Sequence, residues 1–346
     1  MADHGIHWRN NTSGALWATA YHDAVKRRYY GIKVEAGGTG VPYIPYFQSY
    51  EYTIRWYDAN DKDKLCEYQY VCVEDQSFLV EVSVDASNNY SIRVSPYPPV
   101  VSRRPTYLIA HRCNDRGDIG PALERGANAI ECDVRIKDGT WYVDHDGVYA
   151  WSTKLADWLA QANDCANSVG QNFALIVFDI KTPESLDTLR DQVRAAIPAD
   201  LNALFSIARY DDRGAFDKIK GALSACDGLA IDDDNDPERV ETYFNDASVS
   251  RYWYGNGIFT GGIGPKVHES LVKACGLRDA GKGIKKAYVW TLAKDASIAD
   301  YINSVQVDGV MVNPSTLGDA KAIITAPDSR SRLATRSDPA FSVFTP

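Results

Sequence analysis

The strongest constraint on this chain is an alternation that begins after residue 105. Short apolar runs, "YLIAH", "NAIECDV", "ALIVFDIK", "LFSIARY", "GLAIDD", "RYWYGNG", "KAYVWTL" and "VDGVMVN", are separated by stretches such as "PESLDTLRDQVRAAI" and "DPERVETYFNDA". The runs read as strands and the stretches between them as helices. Eight alternations in about 240 residues predict an α/β fold, a (β/α)8 TIM barrel over 105–346. A doubly wound open sheet is the alternative, but no G-x-G-x-x-G opens the first strand-to-helix turn.

Residues 1–100 follow another pattern. "YEYTIRWYD", "CEYQYVCVE", "SFLVEVSVD" and "YSIRVSP" are short, β-branched and aromatic, with Asn, Asp and Gly between them, which predicts a small antiparallel β-sandwich. "SPYPPVVSRRP", residues 95–105, holds four prolines without periodicity and reads as the extended link between the two parts. The first part carries 17 of the 39 aromatic residues. These either fill the core of a small sandwich or, being apolar with polar tips, serve a lipid- or carbohydrate-binding accessory module.

Charge and cysteine usage narrow the function classes. The net charge of -9 is spread over both parts, with 9 basic against 12 acidic residues in 1–100 and 28 against 34 beyond, which argues against a nucleic-acid partner. No apolar run approaches the ~20 residues that span a bilayer, and "MADHGIHWRN" lacks the apolar core of a signal peptide. Seven cysteines show no C-x-x-C and no zinc spacing, and Cys66 with Cys72 could bridge neighbouring strands in an oxidising compartment.

In a barrel of this kind the active site sits at the C-terminal ends of the strands. The first strand ends in His111, the second carries Glu131 and Asp133 on one face, and "TWYVDHD" extends to His145. The third puts Asp179 and Lys181 together, the seventh Tyr288 and Trp290, and the eighth ends at Asn313. Singly, each has an ordinary structural reading: a hydrogen-bonded histidine, a salt-bridged acid, a core aromatic. Jointly they converge on one mouth. Three carboxylates suit a hard cation such as Mg2+, so Glu131, Asp133 and Asp179 are the expected metal ligands. Two histidines can divide proton transfer around a phosphorus atom, and Lys181 would stabilise phosphoryl oxygens. His268, inside a helical stretch, reads as a surface residue.

These motifs resemble the glycerophosphodiester phosphodiesterase-like barrels and, more closely, the sphingomyelinase D/phospholipase D toxin family. "HRCN" is similar to that family's H-x-x-N start, while "GANAIECDV", "IVFDIKT", "YVWT" and "VDGVMVN" follow its later motifs. The tail "LATRSDPAF" resembles the segment that plugs the barrel's base in the toxin branch; the P-E-N-T segment of the ordinary phosphodiesterase branch is absent. The resemblance implies a secreted, Mg2+-dependent enzyme that separates phosphate from head-group alcohol in choline or ethanolamine phospholipids at a membrane surface. A cyclic phosphate is then a possible product. His111 would be the base and His145 the acid, with Lys181, Tyr288, Trp290 and Asn313 on the substrate. A removed leader would explain the abrupt start.

The chain also departs from the pattern. Ala293 stands where the family commonly has Asp, three beyond the tryptophan, which leaves Asn313 to orient the second histidine. "HDGVYAWSTKLADW" has none of the cysteines that the spider enzymes carry in that loop. The remaining alternatives are a glycerophosphodiester phosphodiesterase acting on deacylated lipids and a lipid-binding module without activity.

Overall fold

The computed structural model describes residues 6–22, 27–43, 51–59, 64–71, 77–97, 103–148, 152–257, 264–326 and 329–345, and the chain divides into two compact units, Met1–Val101 and Ser102–Pro346.

The first unit holds eight strands: β1 (Ile6–Asn10), β2 (Leu16–His22), β3 (Arg27–Val34), β4 (Thr39–Tyr43), β5 (Glu51–Asp58), β6 (Lys64–Val71), β7 (Ser77–Val84) and β8 (Tyr90–Tyr97). They form two four-stranded sheets, ordered β4-β1-β7-β8 and β3-β2-β5-β6. Alternate residues of both sheets make a shared core: Ile6, Trp8, Val80 and Val82 from one, Leu16, Ala18, Ile54 and Trp56 from the other. Trp8 and Trp56 meet edge to face at 5.8 Å. The sandwich is not wholly antiparallel, because β1 runs parallel to β7 from Ile6↔Phe78 to Asn10↔Val82. Direction of pairing between strands so distant in sequence leaves no mark on the local pattern. Cys72, and with it the expected pairing to Cys66, lies outside the described residues.

The proline-rich link is shorter than expected. Its first residues end β8, where Pro96 lies opposite Phe78 on a sheet edge that needs no donated N–H from it. Arg104 and Pro105 already belong to the next strand.

The second unit is a closed barrel. Its eight parallel strands are β9 (Arg104–Ala110), β10 (Ala129–Lys137), β13 (Leu175–Ile180), β14 (Asn202–Ile207), β15 (Asp227–Ile231), β16 (Tyr252–Gly257), β17 (Lys286–Leu292) and β18 (Gly309–Val312). β18 pairs with β9, and β9 with β10, which closes the ring. A hairpin, β11 (Thr140–Val143) and β12 (Thr153–Lys154), extends β10. The outer layer consists of α1 (Arg116–Glu124), α2 (Leu155–Val169), α3 (Leu186–Ala196), α4 (Pro237–Asp246), α5 (Pro265–Asp279), α6 (Asp295–Asp300) and α7 (Leu317–Thr325). After β14 the chain makes 3-10 turns over Tyr210–Lys218 instead of a full helix.

Each strand presents one face to the helices and one to the interior. On β10 and β13, Ile130, Cys132, Val134, Ile176, Phe178 and Ile180 pack outward; Ala129, Leu175 and Val177 fill the inside with Trp253 and Tyr288. The C-terminal segment closes the opposite end from the active-site mouth. β19 (Ser331–Leu333) pairs with the start of β9, and Ala340 and Phe341 join the interior core, where Trp253 Nε1 donates to the Ala340 carbonyl at 2.8 Å.

Candidate active site

Register brings the acids together. β10 and β13 pair with Asp133 opposite Asp179 and Glu131 opposite Val177, so the two aspartates stand side by side and the glutamate one step deeper on the same inward face. Ligand atoms of Glu131, Asp133 and Asp179 all lie within 4.8 Å of one another. They floor a cavity of about 220 Å³ whose walls include His111, Arg112, His145, Lys181, Asp232 and Trp290.

The turn after β9 holds this floor in place. Arg112 adopts a left-handed backbone, φ +55°, which aims its N–H at Glu131 Oε2, 2.7 Å away. Asn114 grips β10 twice, its Nδ2 donating to Asp133 Oδ2 at 2.7 Å and its Oδ1 accepting from the Asp133 N–H at 3.0 Å. Cys113, whose thiol is buried, donates its N–H to the Glu131 carbonyl at 2.9 Å.

Lys181 Nζ sits 2.9 Å from Asp133 Oδ1 and also pairs with Asp179. One ammonium thus stands against three carboxyl groups. Glu131 Oε1 and Asp179 Oδ1 are buried and accept no hydrogen bond from any described residue. Burial first, then Asp133 and Asp179, holds the Glu131 carboxyl well above the usual range; burial likewise raises Asp179 against the pull of Lys181. Two orphaned, buried carboxylate oxygens in a cluster of three carboxyl groups fit a divalent cation with oxygen ligands.

The histidines lie on the rim of this cavity with different partners. His111 Nδ1 is 3.1 Å from Asn313 Oδ1, and burial lowers its basicity. His145 is held at both ring nitrogens: Nδ1 lies 2.6 Å from Asp146 Oδ1 and Nε2 2.7 Å from Arg112 Nη2. The loop bearing it is a turn beyond β11 and not a continuation of the strand, closed by Asp144 Oδ1 accepting from the Asp146 and Gly147 N–H groups at 2.7 Å each. Arg135 fixes it further, donating to the His145 carbonyl at 2.7 Å.

Asn313 therefore does not orient the second histidine. It reaches His111, because β18 lies next to β9 while His145 rides on the far side of β10. Where Ala293 leaves no carboxylate, Asp146 provides one from the residue next to His145 itself. Tyr288 and Trp290 also part company. Trp290 lines the cavity, its Nε1 donating to the Asp232 carbonyl at 2.7 Å. Tyr288 is fully buried beneath the cavity lining, its hydroxyl donating to Asp232 Oδ2 at 2.9 Å and lying 3.2 Å from Ser206 Oγ. His268 lies on α5, half-exposed, 3.2 Å from Asp300.

Sequence reasoning did not single out Arg112, Asp146, Asp232 or Asp233, and it reached Asn114 only as the last residue of the "HRCN" motif. Asp232 follows the end of β15, and burial, with Asp179 nearby, pushes its carboxyl up to about 7. Its position at a strand end was the available signal, the same that marked Asp179.

The pattern of the "Sphingomyelinase D/Phospholipase D" family matches residues 101–317. A sphingomyelinase D of Aspergillus flavus is 24% identical over 272 residues, covering 69% of this chain and 91% of that protein. A dermonecrotic toxin of Loxosceles laeta is 26% identical over 281 residues, covering 69% of this chain and 99% of the toxin. Among solved structures, an Oleispira antarctica phosphodiesterase in complex with sn-glycerol-3-phosphate aligns over 63% of this chain and 96% of its own, at 15% identity and TM-score 0.45. The matched span contains every side chain that floors and rims the cavity, and the chain is an enzyme of the sphingomyelinase D/phospholipase D family.

Proposed function

We propose that this enzyme is a Mg2+-dependent phospholipase D-type phosphodiesterase. Its substrates are sphingomyelin or lysophospholipids, and the bond cleaved lies between phosphate and the choline or ethanolamine head group. One observation carries the reading: three carboxylates with two orphaned buried oxygens, set between two imidazoles on one cavity. Glu131, Asp133 and Asp179 would hold the ion, which supplies positive charge to the phosphoryl oxygens.

The protein's own groups divide the proton work. Burial lowers the basicity of His111, which favours its neutral form, and an acceptor at Nδ1 selects the tautomer with the lone pair on Nε2. His111 takes a proton from the attacking hydroxyl, which is either a hydroxyl of the lipid, giving a cyclic phosphate, or water. Attack by the lipid's own hydroxyl exploits a high effective concentration. His145, in its doubly protonated form, gives the Nε2 proton to the departing head-group oxygen while Asp146 keeps Nδ1. Trp290, its ring pinned by the hydrogen bond to Asp232, offers an aromatic face to a trimethylammonium, worth roughly 0.5–2 kcal/mol. No helix among the described residues is long and apolar enough to cross a membrane, and the reading is of a secreted enzyme that meets its lipid at a membrane surface.

Phosphorus NMR of sphingomyelin, lysophosphatidylcholine and glycerophosphocholine with Mg2+ tests this. Release of choline from the first two, lost in His111→Ala and His145→Ala, is the expected result. Turnover confined to glycerophosphocholine would make it a phosphodiesterase of deacylated lipids, and lipid binding without turnover in any condition would remove the enzymatic reading of the cavity.

A further inference from the structure

The loop that carries His145 caps a hairpin. Val143 pairs with Thr153, so Asp144 and Ser152 are the first residues past the last rung and stand at the two ends of residues 144–152. The loop contains no cysteine, and hydrogen bonds close its neck. Asp144 makes most of them. Its Oδ1 accepts from the Asp146 and Gly147 N–H groups at 2.7 Å each, and its Oδ2 accepts from Ser152 Oγ.

Through its backbone the same residue is tied to the cavity floor. The Asp144 N–H donates to the Asp133 carbonyl at 2.9 Å, so one residue joins an expected metal ligand to both ends of the loop. His145 lies inside the span that the Oδ1 bonds enclose, and Arg135 holds its carbonyl at 2.7 Å. Fixing the N–H groups that follow His145 fixes the backbone from which the imidazole projects. Asp144 itself is buried and is not among the described residues that line the catalytic cavity. Its effect on the reaction must therefore pass through its neighbour.

We infer that Asp144 is a positioning residue for the reaction. The staple from Asp144 to Ser152 sets the place of the His145 imidazole relative to the metal floor, and losing it impairs proton donation to the leaving group while metal and substrate binding persist. This rests on the reading of His145 as the acid.

The test compares leaving groups on the full-length, Mg2+-loaded protein. Lysophosphatidylcholine expels an alkoxide that needs a proton; its analogue with p-nitrophenol in place of choline expels an anion that does not. His145→Ala sets the scale, with kcat falling on the order of 10²- to 10⁴-fold on the choline substrate, the contribution of a general acid, and only a few-fold on the analogue. Asp144→Ala should show the same asymmetry, with roughly a 10²-fold loss on the choline substrate and unchanged KM and Mg2+ affinity. Asp144→Asn keeps an acceptor at Oδ1 and offers Ser152 Oγ a donor, so it should recover most of that loss. Ser152→Ala, which leaves the Oδ1 bonds in place, should lose less than Asp144→Ala. Asp144→Ala combined with His145→Ala should be no slower than His145→Ala alone, because the two act as one unit. Equal losses on both substrates would overturn the inference, since a loosened hairpin slows every leaving group alike. A double variant slower than His145→Ala would overturn it too. If His145→Ala shows no difference between leaving groups, or the wild type turns over neither substrate, the assignment of the acid fails and takes the inference with it. If His145→Ala shows the difference and Asp144→Ala does not, the inference alone fails.

Discussion

The two ends of the barrel both bury charge, and they treat it oppositely. At the N-terminal end Asp308 is completely buried, yet every side of it is answered: Arg104 at 3.3 Å, the Ala287 N–H at 2.9 Å, Lys286 at 3.8 Å and Arg278 in direct contact. Arg278 and Lys286 hold its carboxyl below the ordinary range despite burial. At the C-terminal end, burial and like charge hold Glu131 and Asp179 above it, with oxygens left unanswered. A saturated ion cluster stabilises a fold; an unsaturated one is a cost that a ligand can relieve.

The sharpest break of that comparison is Glu131→Gln. It should lower turnover on the order of 10³-fold, as loss of a preorganised electrostatic group does. The same change should raise the melting temperature of the metal-free protein, since it removes a carboxylate that resists ionisation. A carboxyl raised in the folded state favours folding when protonated, so wild-type stability without metal should fall as pH rises from the unfolded value toward the folded one, and the variant should lose that slope. Thermal melts in a chelator across pH 4–7 (roughly the span above an ordinary carboxyl) measure it; a variant no more stable than wild type at pH 7 would show that the cluster is not strained.

Asp308→Asn is the mirror experiment. Removing the one fully buried anion among Arg104, Arg278 and Lys286 should cost about 3–5 kcal/mol in denaturant unfolding and leave Mg2+ affinity unchanged. Smaller still is the metal's own effect. Mg2+ at a hundred times its dissociation constant should stabilise wild type by about 2.7 kcal/mol, and Glu131→Gln by much less. That increment should shrink toward acid pH, where protons compete for the raised carboxyls.

The unequal legibility of these regions has physical causes. Barrel strands announce themselves because a run buried on both faces must be apolar along its length, so an acid such as Asp179 inside "ALIVFDIK" stands out. Glu131 and Asp133 were visible for the same reason, through strand alternation. Arg112 was not. Its place in the site depends on a left-handed turn and on a long side chain meeting a histidine from a separate hairpin, neither of which has a local signature. Tyr288 misled because alternation assigns a face and not a depth: it points inward, as expected, but lies under the cavity against Ser206 and Asp232. Asn313 misled because neighbourhood around a ring is set by strand order, which brings it to His111.

The tail at the N-terminal end sharpens the contrast with least expense of activity. Gly228, on β15, faces the Phe341 ring so closely that an added Cβ would lie 2.0 Å from it. Phe341 is buried among Tyr107, Leu204 and Trp253, a position that only a glycine opposite permits. Gly228→Ala should therefore force the ring out of place and destabilise the protein by about 1–3 kcal/mol, with Mg2+ affinity at the far end unchanged. Phe341→Leu in the same chain shortens the obstructing group and should return part of that loss, since the two changes share one contact. Denaturant unfolding of the single and double variants measures the coupling. Strict additivity would mean that the tail does not sit under β15.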